Sequence, residues 1–576
     1  MGIAARVYLY GIALVGLGML VVGASGLLTL ALETVVQAVA APPVTIGGSD
    51  VRSRASLSGA LTLIGLVAWL VHWGLAERAT RRPDLAGLAE RQSAIRKLFL
   101  YLALALGGIT LTFASAAVVS DVLRALFGRL TLSSVISGSI VEPLAALIIV
   151  GVLELYYWRV AALDRALAPE VGAGATLRRW ATYGLAFLGL MLLLFSAVGL
   201  IEAIWGAVVV PPGAAVSGGN WMAEVLPERI GRLLAGLVLW LATWRWSNWW
   251  FARADDVDPE ARSVLRKVYL YLVLAIAVAW TVWNLGRVLY LFLRAALLPD
   301  HPSSGWFGML DDLGPAVAAV VVFGVAWLYH VRVLQHEADV AGEASRQASI
   351  RWIYSYLVAF VGLATFAVGL AGTVGTVLEL LVQPGGSRST TWWQERMSLF
   401  VTLVMVGLPL WAVVWGRLQR ETVESAARRS LVRRIYLILV FGLSVLALIG
   451  SGAVLLYQLI RVALGEPWTA GETSTAITAG STVAVAALVL VYHLRTFRGD
   501  APTDAEEGAA EPATVPVMRL AVVRASSAEA LDAYRQRMLA MARNGIEVEF
   551  VEAEPQTLER IVDELRPPTA AEPPPG

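Results

Sequence analysis

Residues 264–271 read Val-Leu-Arg266-Lys267-Val-Tyr269-Leu-Tyr271 and open an apolar run that reaches Leu298. A basic pair and two aromatic residues thus precede a segment of about 25 apolar residues, long enough to cross the ~30 Å core of a bilayer as a helix. The same motif returns along most of the chain. It therefore predicts a repeated membrane unit and does not identify a reaction.

The composition of the chain also indicates a membrane protein. Of 576 residues, 57% are hydrophobic and 15% charged, whereas soluble proteins carry about a quarter charged residues. The net charge of +1 favours no nucleic-acid partner. The recurring apolar runs make the lipid bilayer the expected partner. The chain has no cysteine, which excludes disulfides, thiolate metal sites and cysteine nucleophiles.

Six copies of the motif recur at a nearly constant spacing, which predicts six tandem helical hairpins. Each copy adds a second apolar span with a His or Arg near its end. The second aromatic residue stands at Tyr10, Tyr101, Tyr183, Tyr271 and Tyr356, with Ile438 in the sixth copy. The predicted hairpin repeats are residues 1–86, 87–170, 171–257, 258–343, 344–424 and 425–498.

The predicted fold is an all-α polytopic membrane protein with about twelve transmembrane helices, because backbone groups cannot stay unpaired in lipid. The first apolar run, residues 7–32, is too long for a signal peptide, and we expect a retained helix. Two helices return the chain to its starting side, so the hairpins are expected to be parallel repeats. They could form a ring or three pairs.

Basic residues in the short loops predict the orientation. The connector after the tenth predicted helix holds Arg417, Arg420 and Arg428, whereas the hairpin loop 299–312 has no Arg or Lys. We therefore expect a multi-pass protein of the inner (plasma) membrane, with connectors and both termini in the cytoplasm.

The Arg/Lys-x-Tyr-x-Tyr hairpin units resemble the bacterial family labelled domain of unknown function 5671. The resemblance covers roughly residues 1–498 as tandem copies. It implies a membrane location and assigns no activity, cofactor or site residue.

The C-terminal tail differs from the repeats. Residues 499–516 are rich in acidic residues and proline and predict a flexible linker, and residues 567–576 predict a disordered end. Between them, residues 517–566 predict a small cytoplasmic α/β (βαβα) module without a Gly-rich phosphate turn. A cytoplasmic protein, or a second copy bound through this module, is its expected partner. The predicted strands are 518–524 and 546–552, and the helices 526–544 and 555–565.

Few polar residues fall inside the predicted spans. Asn284 and Arg287 lie one turn apart on one helix face, and Glu154 lies one turn before Trp158. An ionisable residue inside a membrane is a candidate functional site. The structural alternative is that Arg287 extends to the outer interface and Glu154 to the inner one.

A set of charges recurs at one position of the repeat, near the outer end of the first helix of the hairpins. We interpret it as interfacial ion pairs between neighbouring hairpins. The alternative is an outer vestibule that binds a charged solute. The members of this outer charged ring are Glu33, Arg124, Arg294, Glu379 and Arg461.

The remaining patterns have structural explanations. Aromatic residues at one depth indicate an interfacial belt, with an aromatic cation site as the alternative. Small residues in the first helices indicate helix–helix contacts, with a permeation path as the alternative. His72, His330 and His493 share one repeat position, but no carboxylate recurs beside them, so we expect no metal site or cofactor.

Without a nucleophile–base pair, we expect no catalytic residue and a non-enzymatic membrane scaffold or sensor-like component. The alternative is a transporter or channel for a small solute, with its polar site near Asn284 and Arg287. An enzyme acting on lipid is a more distant alternative.

Overall fold

The computed structural model describes residues 2–39, 48–127, 140–209, 221–252, 260, 263–298, 306–341, 345–382, 391–421, 430–499, 532, 534 and 536. All regular secondary structure in these ranges is helical. Thirteen helices and no strand lie in these ranges. They are α1 (Ile3–Val39), α2 (Gly48–Thr80), α3 (Leu85–Arg91), α4 (Ala94–Leu126), α5 (Val141–Leu167), α6 (Ala173–Val209), α7 (Trp221–Phe251), α8 (Val264–Leu297), α9 (Trp306–Ala341), α10 (Ser345–Val382), α11 (Trp392–Glu421), α12 (Leu431–Ala463) and α13 (Ala470–Gly499).

Eleven of the described helices are long and apolar enough to cross a membrane, which confirms a polytopic helical membrane protein. The exceptions are α3, which is short, and α7, the second helix of the predicted hairpin repeat 171–257. Polar residues shorten the apolar part of α7 at both ends, with Glu228 and Arg232 at one end and Arg245 and Asn248 at the other. The composition of the described residues thus supports eleven spans where the sequence predicted about twelve.

Consecutive long helices pair as hairpins, namely α1–α2, α4–α5, α6–α7, α8–α9, α10–α11 and α12–α13. The first helix of each of the first five hairpins also packs against both helices of the next hairpin. The hairpins therefore follow one another in a row. Within the described residues, the last hairpin makes no extensive contact with the first.

The hairpins are of two alternating kinds. In α1–α2, α6–α7 and α10–α11 the two backbones cross at paired glycines, because only a residue without a Cβ fits there. An ideal Cβ on Gly16, Gly189 or Gly362 would lie 2.7 Å from the backbone nitrogen of Trp69, Trp240 or Trp411, respectively. The other three hairpins lack this crossing among their described glycines.

Two successive hairpins therefore form one four-helix unit. Unit 1 is α1, α2, α4 and α5, unit 2 is α6 to α9, and unit 3 is α10 to α13. Each unit has its own buried cluster of apolar residues, centred on Trp73, Trp244 or Trp415. These three tryptophans are equally spaced along the chain.

The predicted linker 499–516, α/β module 517–566 and tail 567–576 lie outside the described residues, apart from Gly499 and three isolated positions. Asp532, Tyr534 and Gln536 are helical and fall inside the predicted helix 526–544. Gly499 ends α13.

Candidate functional site

Each unit buries one arginine near the start of the first helix of its second hairpin. Arg96, Arg266 and Arg433 are at most 2% exposed. A buried charge is costly unless it is paired and hydrogen-bonded. The side chains around these arginines must therefore supply the hydrogen bonds that offset the burial of the charge. We call the end of the helices where they lie the connector end.

In unit 1, Arg96 joins both hairpins. Its Nε donates to Asp164 on α5 at 2.7 Å and its Nη2 donates to Glu77 on α2 at 2.9 Å. Its Nη1 lies 3.4 Å from the hydroxyl of Tyr10 on α1. One guanidinium thus contacts three other helices of the unit.

In unit 2, Arg266 occupies the same position with a partly different set of partners. Its Nε donates to Glu337 at 2.8 Å, and its Nη groups donate to Ser247 at 2.6 Å and Asn248 at 2.8 Å. The Tyr183 hydroxyl lies 3.4 Å from Nη1. Because Asn248 stands where unit 1 has Glu77, this unit has one carboxylate fewer around the arginine.

In unit 3, Arg433 bonds to Tyr356 at 3.3 Å and to Gln419 at 3.0 Å. Glu77, Asn248 and Gln419 follow one another with the same spacing as the three tryptophans, so they occupy one position of the unit. A hydrogen-bond acceptor is thus present at this position in all three units, but only unit 1 uses a charged one.

An aromatic cage surrounds each arginine. The guanidinium carbon lies 5.1, 5.0 and 5.5 Å from the ring centroids of Trp73, Trp244 and Trp415, within the range of cation–π attraction. Each tryptophan also contacts Phe99, Tyr269 or Tyr436, at centroid distances of 5.1, 5.2 and 5.1 Å. The indole N–H groups donate to Tyr156, Tyr329 and Tyr492 at 2.6, 2.7 and 2.8 Å.

Glutamates in the segments that join the hairpins form a second set of buried contacts. Glu170 accepts from Lys97 and from Tyr101, both at 2.7 Å. Glu260 accepts from Tyr183 at 2.7 Å and from Arg179 at 3.0 Å. In the first copy, Glu90 accepts from Arg6 at 2.9 Å and from Tyr10 at 3.4 Å. The recurring basic and aromatic residues of the motif are thus hydrogen-bond donors to these carboxylates.

The chemistry of this site is that of a structural clamp. Arginine offers five N–H donors in a fixed fork, and Arg96 directs its donors at protein oxygens on three helices. In the described part of the chain, no group of three or more His, Asp or Glu residues could hold a metal ion. His330 and His493 are buried, and each uses Nδ1 to contact the backbone oxygen four residues earlier.

The predicted intramembrane residues are not brought together as one site. Asn284 is 4% exposed and donates to the backbone oxygen of Trp280 on its own helix at 2.9 Å. Arg287 is half-buried, and no hydrogen bond or ion pair joins it to another described residue. Glu154 lies on a different helix, in unit 1, where its carboxylate packs against Gly107.

Two members of the outer charged ring form ion pairs within a single hairpin. Glu33 accepts two bonds from Arg54, at 3.1 and 3.2 Å, and Glu379 accepts one from Arg396 at 2.8 Å. Both pairs join the two helices of a single hairpin, so these contacts do not bridge neighbouring hairpins. Of the other members, Arg124 pairs with Asp121 at 2.9 Å, Arg461 pairs with Glu466 and Glu472, and Arg294 lies in the last turn of α8.

Sequence reasoning found the basic and aromatic members of the clamp but missed its acceptors. Asp164 and Glu337 lie on second helices and the joining glutamates between hairpins, whereas the motif was aligned on first helices. The equal spacing of Trp73, Trp244 and Trp415 was the available signal for the four-helix unit.

These features define a multi-pass helical membrane protein built from repeated four-helix units, each clamped by a buried arginine. The chain belongs to the family described as domain of unknown function (DUF5671), whose profile matches residues 6–152, 179–304 and 352–492. One match begins in the first helix of each unit. Comparison with curated proteins and with solved structures gives no match.

Proposed function

We propose that this protein is a non-enzymatic membrane scaffold, or a sensor-like component, that displays its C-terminal tail at the cytoplasmic face of the inner membrane. In this proposal α7 also crosses the membrane beside α6, which gives twelve spans and six parallel hairpins. Both termini then lie on the cytoplasmic side, as the basic connectors favour.

The observation that carries the proposal is the self-contained bonding of the buried arginines. The donors of Arg96 and Arg266 end on side chains of their own unit. Groups that bind or transform a ligand keep bonding positions free for it, whereas groups that fix helix ends are satisfied by the protein. The clamp thus supports a rigid element better than a site of turnover.

Reconstitution into liposomes tests the scaffold role directly. Vesicles that contain the purified protein should retain protons, potassium and small organic solutes as well as protein-free vesicles do. A protein-dependent and saturable flux would contradict the proposal and support transport.

The display of the tail is tested by proximity labelling in cells. A labelling enzyme fused after Gly576 should enrich a defined set of cytoplasmic proteins. The matched control carries the same enzyme after Gly499, without the tail. Equal protein sets from the two fusions would argue against a scaffold that acts through its tail.

Transport remains the second candidate because of α8. Its half-buried Arg287 has no partner among the described residues, and the buried Asn284 lies one turn away. An unpaired intramembrane arginine can attract an anionic solute. If such a flux exists, Arg287→Leu should abolish it while the purified protein keeps its thermal stability.

A further inference from the structure

Two interfaces between units lie inside the chain, and both join the second hairpin of one unit to the first hairpin of the next. Between units 1 and 2, Gly231 on α7 lies against α4, where an ideal Cβ would be 2.5 Å from the backbone oxygen of Ala116. Between units 2 and 3, an ideal Cβ on Gly286 of α8 would be 3.8 Å from Thr402 of α11.

The same repeat positions meet at both interfaces. Ala116 and Gly286 are separated by the same number of residues as Tyr101 and Tyr271, so they occupy equivalent positions of the repeat. Gly231 and Thr402 are likewise separated by the same number of residues as Trp244 and Trp415, so they are also equivalent. Each interface therefore joins the first helix of one unit's second hairpin to the second helix of the next unit's first hairpin.

The two ends of the row carry the same two surfaces without a neighbouring unit. Ala453 on α12 follows Gly286 by the same number of residues as Ile438 follows Tyr271, so it occupies the position of Gly286 in the repeat. Ala60 on α2 precedes Gly231 by the same number of residues as Trp73 precedes Trp244, so it occupies the position of Gly231 in the unit. Both alanines are exposed. The row therefore begins with one half of the unit interface and ends with the other half.

Burial along these helices shows how far the two end surfaces differ from their internal counterparts. Tyr271 lies 5.7 Å from Tyr354 of unit 3, between ring centroids, and is 8% exposed, whereas Ile438 at the same position of α12 is 63% exposed. Ala235 of α7 is 8% exposed, whereas Ile64 at the same position of α2 is 59% exposed. Positions that a neighbouring unit covers inside the chain are thus uncovered at the ends of the row.

The end surfaces also carry small residues and share several residues with the internal ones. Gly59 beside Ala60 and Gly452 beside Ala453 have no atom within 4 Å of an ideal Cβ. Small residues at these points permit the close backbone approach on which helix association in lipid depends. Residues shared with the internal counterparts are Tyr457 (Tyr290) and Arg461 (Arg294) on α12, and Arg54 (Arg396), Leu57 (Leu399) and Leu61 (Leu403), matched in unit 3, on α2.

We propose that these end surfaces bind one another between two copies of the chain, so that α12 of one copy packs against α1 and α2 of the next. The contact is head-to-tail, because the two surfaces are different, and it leaves a free surface at each end of a dimer. Longer rows or closed rings in the plane of the membrane are then built by the same contact. The inference rests on the repeat geometry and not on the scaffold role.

Engineered cysteines test the contact, since the chain has none of its own. Ala453→Cys and Ala60→Cys are made in separate chains with different tags and co-expressed. Oxidation in native membranes should then join the two tags in one disulfide-linked dimer. Each variant expressed alone should stay at the mass of one chain. The matched internal control is Gly286→Cys with Thr402→Cys, which should form a disulfide within one chain.

Three outcomes of this experiment would overturn the proposal. One is the absence of the mixed dimer when the internal control is oxidised, which would leave lipid as the only neighbour of these surfaces. Another is a dimer formed by either single variant alone, which would mean a two-fold symmetric contact. The third is a disulfide within one chain that carries both Ala453→Cys and Ala60→Cys, which would mean a closed monomeric ring.

A second measurement avoids thiols. In lipid nanodiscs the native chain should appear as particles of two or more copies. Ala60→Trp should lower the share of these particles several-fold, because the new ring occupies the space of the approaching helix. Val238→Trp on α7, at a position already 67% exposed, is the matched control and should leave that share unchanged. Monomers alone in the native sample would overturn the proposal.

Discussion

Arg266 Nη1 lies 3.4 Å from the hydroxyl of Tyr183, although the two residues belong to different hairpins of unit 2. The equivalent distances are 3.4 Å between Arg96 and Tyr10 and 3.3 Å between Arg433 and Tyr356. In each unit, the motif tyrosine of the first hairpin thus contacts the motif arginine of the second hairpin. This contact defines the unit more directly than the lengths of the hairpins.

Replacing the buried arginine should destabilise the protein strongly. Arg266→Leu leaves Glu337 with Lys267 as its remaining basic partner and leaves Asn248 and Ser247 without their donor. Breaking a buried ion pair typically costs about 3–5 kcal/mol. We expect a clearly lower melting temperature of the purified protein, followed by its fluorescence in detergent.

The control for this change is Arg232→Leu in the same unit. Arg232 pairs with Glu228, and both side chains are more than 40% exposed, so the loss should be about 0–1 kcal/mol. Equal melting temperatures for Arg266→Leu and the native protein would refute the clamp.

The glycine crossing predicts a second strong effect. In Gly189→Ala the added methyl would lie 2.7 Å from the backbone nitrogen of Trp240, so α6 and α7 must separate. We expect aggregation or a large drop in the monodisperse peak on size-exclusion chromatography. Gly184→Ala on the same helix has no atom within 4 Å of its methyl and should behave as the native protein does.

Arg287→Leu should be tolerated. Arginine at the centre of a membrane helix costs about 2.5 kcal/mol or more during insertion, and leucine removes this cost. We expect an unchanged or higher yield of folded protein in the membrane fraction. A melting temperature that falls as far as in Arg266→Leu would show that Arg287 has a buried structural partner.

The orientation can be tested with single cysteines in intact cells. Ser304→Cys should react with a maleimide that cannot cross membranes, and Ala86→Cys should react only after the cells are opened. The basic connectors are the reason for this expectation. The reverse pattern would place the tail outside the cytoplasm and contradict the proposed display.

The sequence predicted the helices well, because apolar length alone decides a membrane span. It also predicted helix–helix contacts at some of the small residues, since Gly23 and Gly369 lie against the backbones of Thr62 and Val404. The two-hairpin unit was harder to predict, because the basic and aromatic motif recurs in every hairpin and hides the longer period. Only the second helices, with Trp73, Trp244 and Trp415, separate the two kinds of hairpin.

The partners of the charged residues could not be predicted for a different reason. Glu33 and Arg54 are joined by the folding back of α2 on α1, which depends on where the glycines let the helices cross. Arg54 and Arg396 lie on second helices, whereas the recurring charges were aligned on first helices. A repeat spacing in the sequence does not show which residues of two antiparallel helices lie opposite each other. That pairing depends on the point where the two helices cross.

Each unit contains an even number of long helices, closes its own arginine clamp and offers the same pair of faces to its neighbours. Loss of residues 173–344 in evolution would bring α4 against α10 and α11, where α8 now lies. If α7 crosses the membrane, as we propose, this loss would also leave the C-terminus on its present side. Duplication of the same segment would lengthen the row by one step with no new type of contact. Related genes can therefore gain or lose whole units. When every unit crosses the membrane four times, the tail stays on the same side of the membrane.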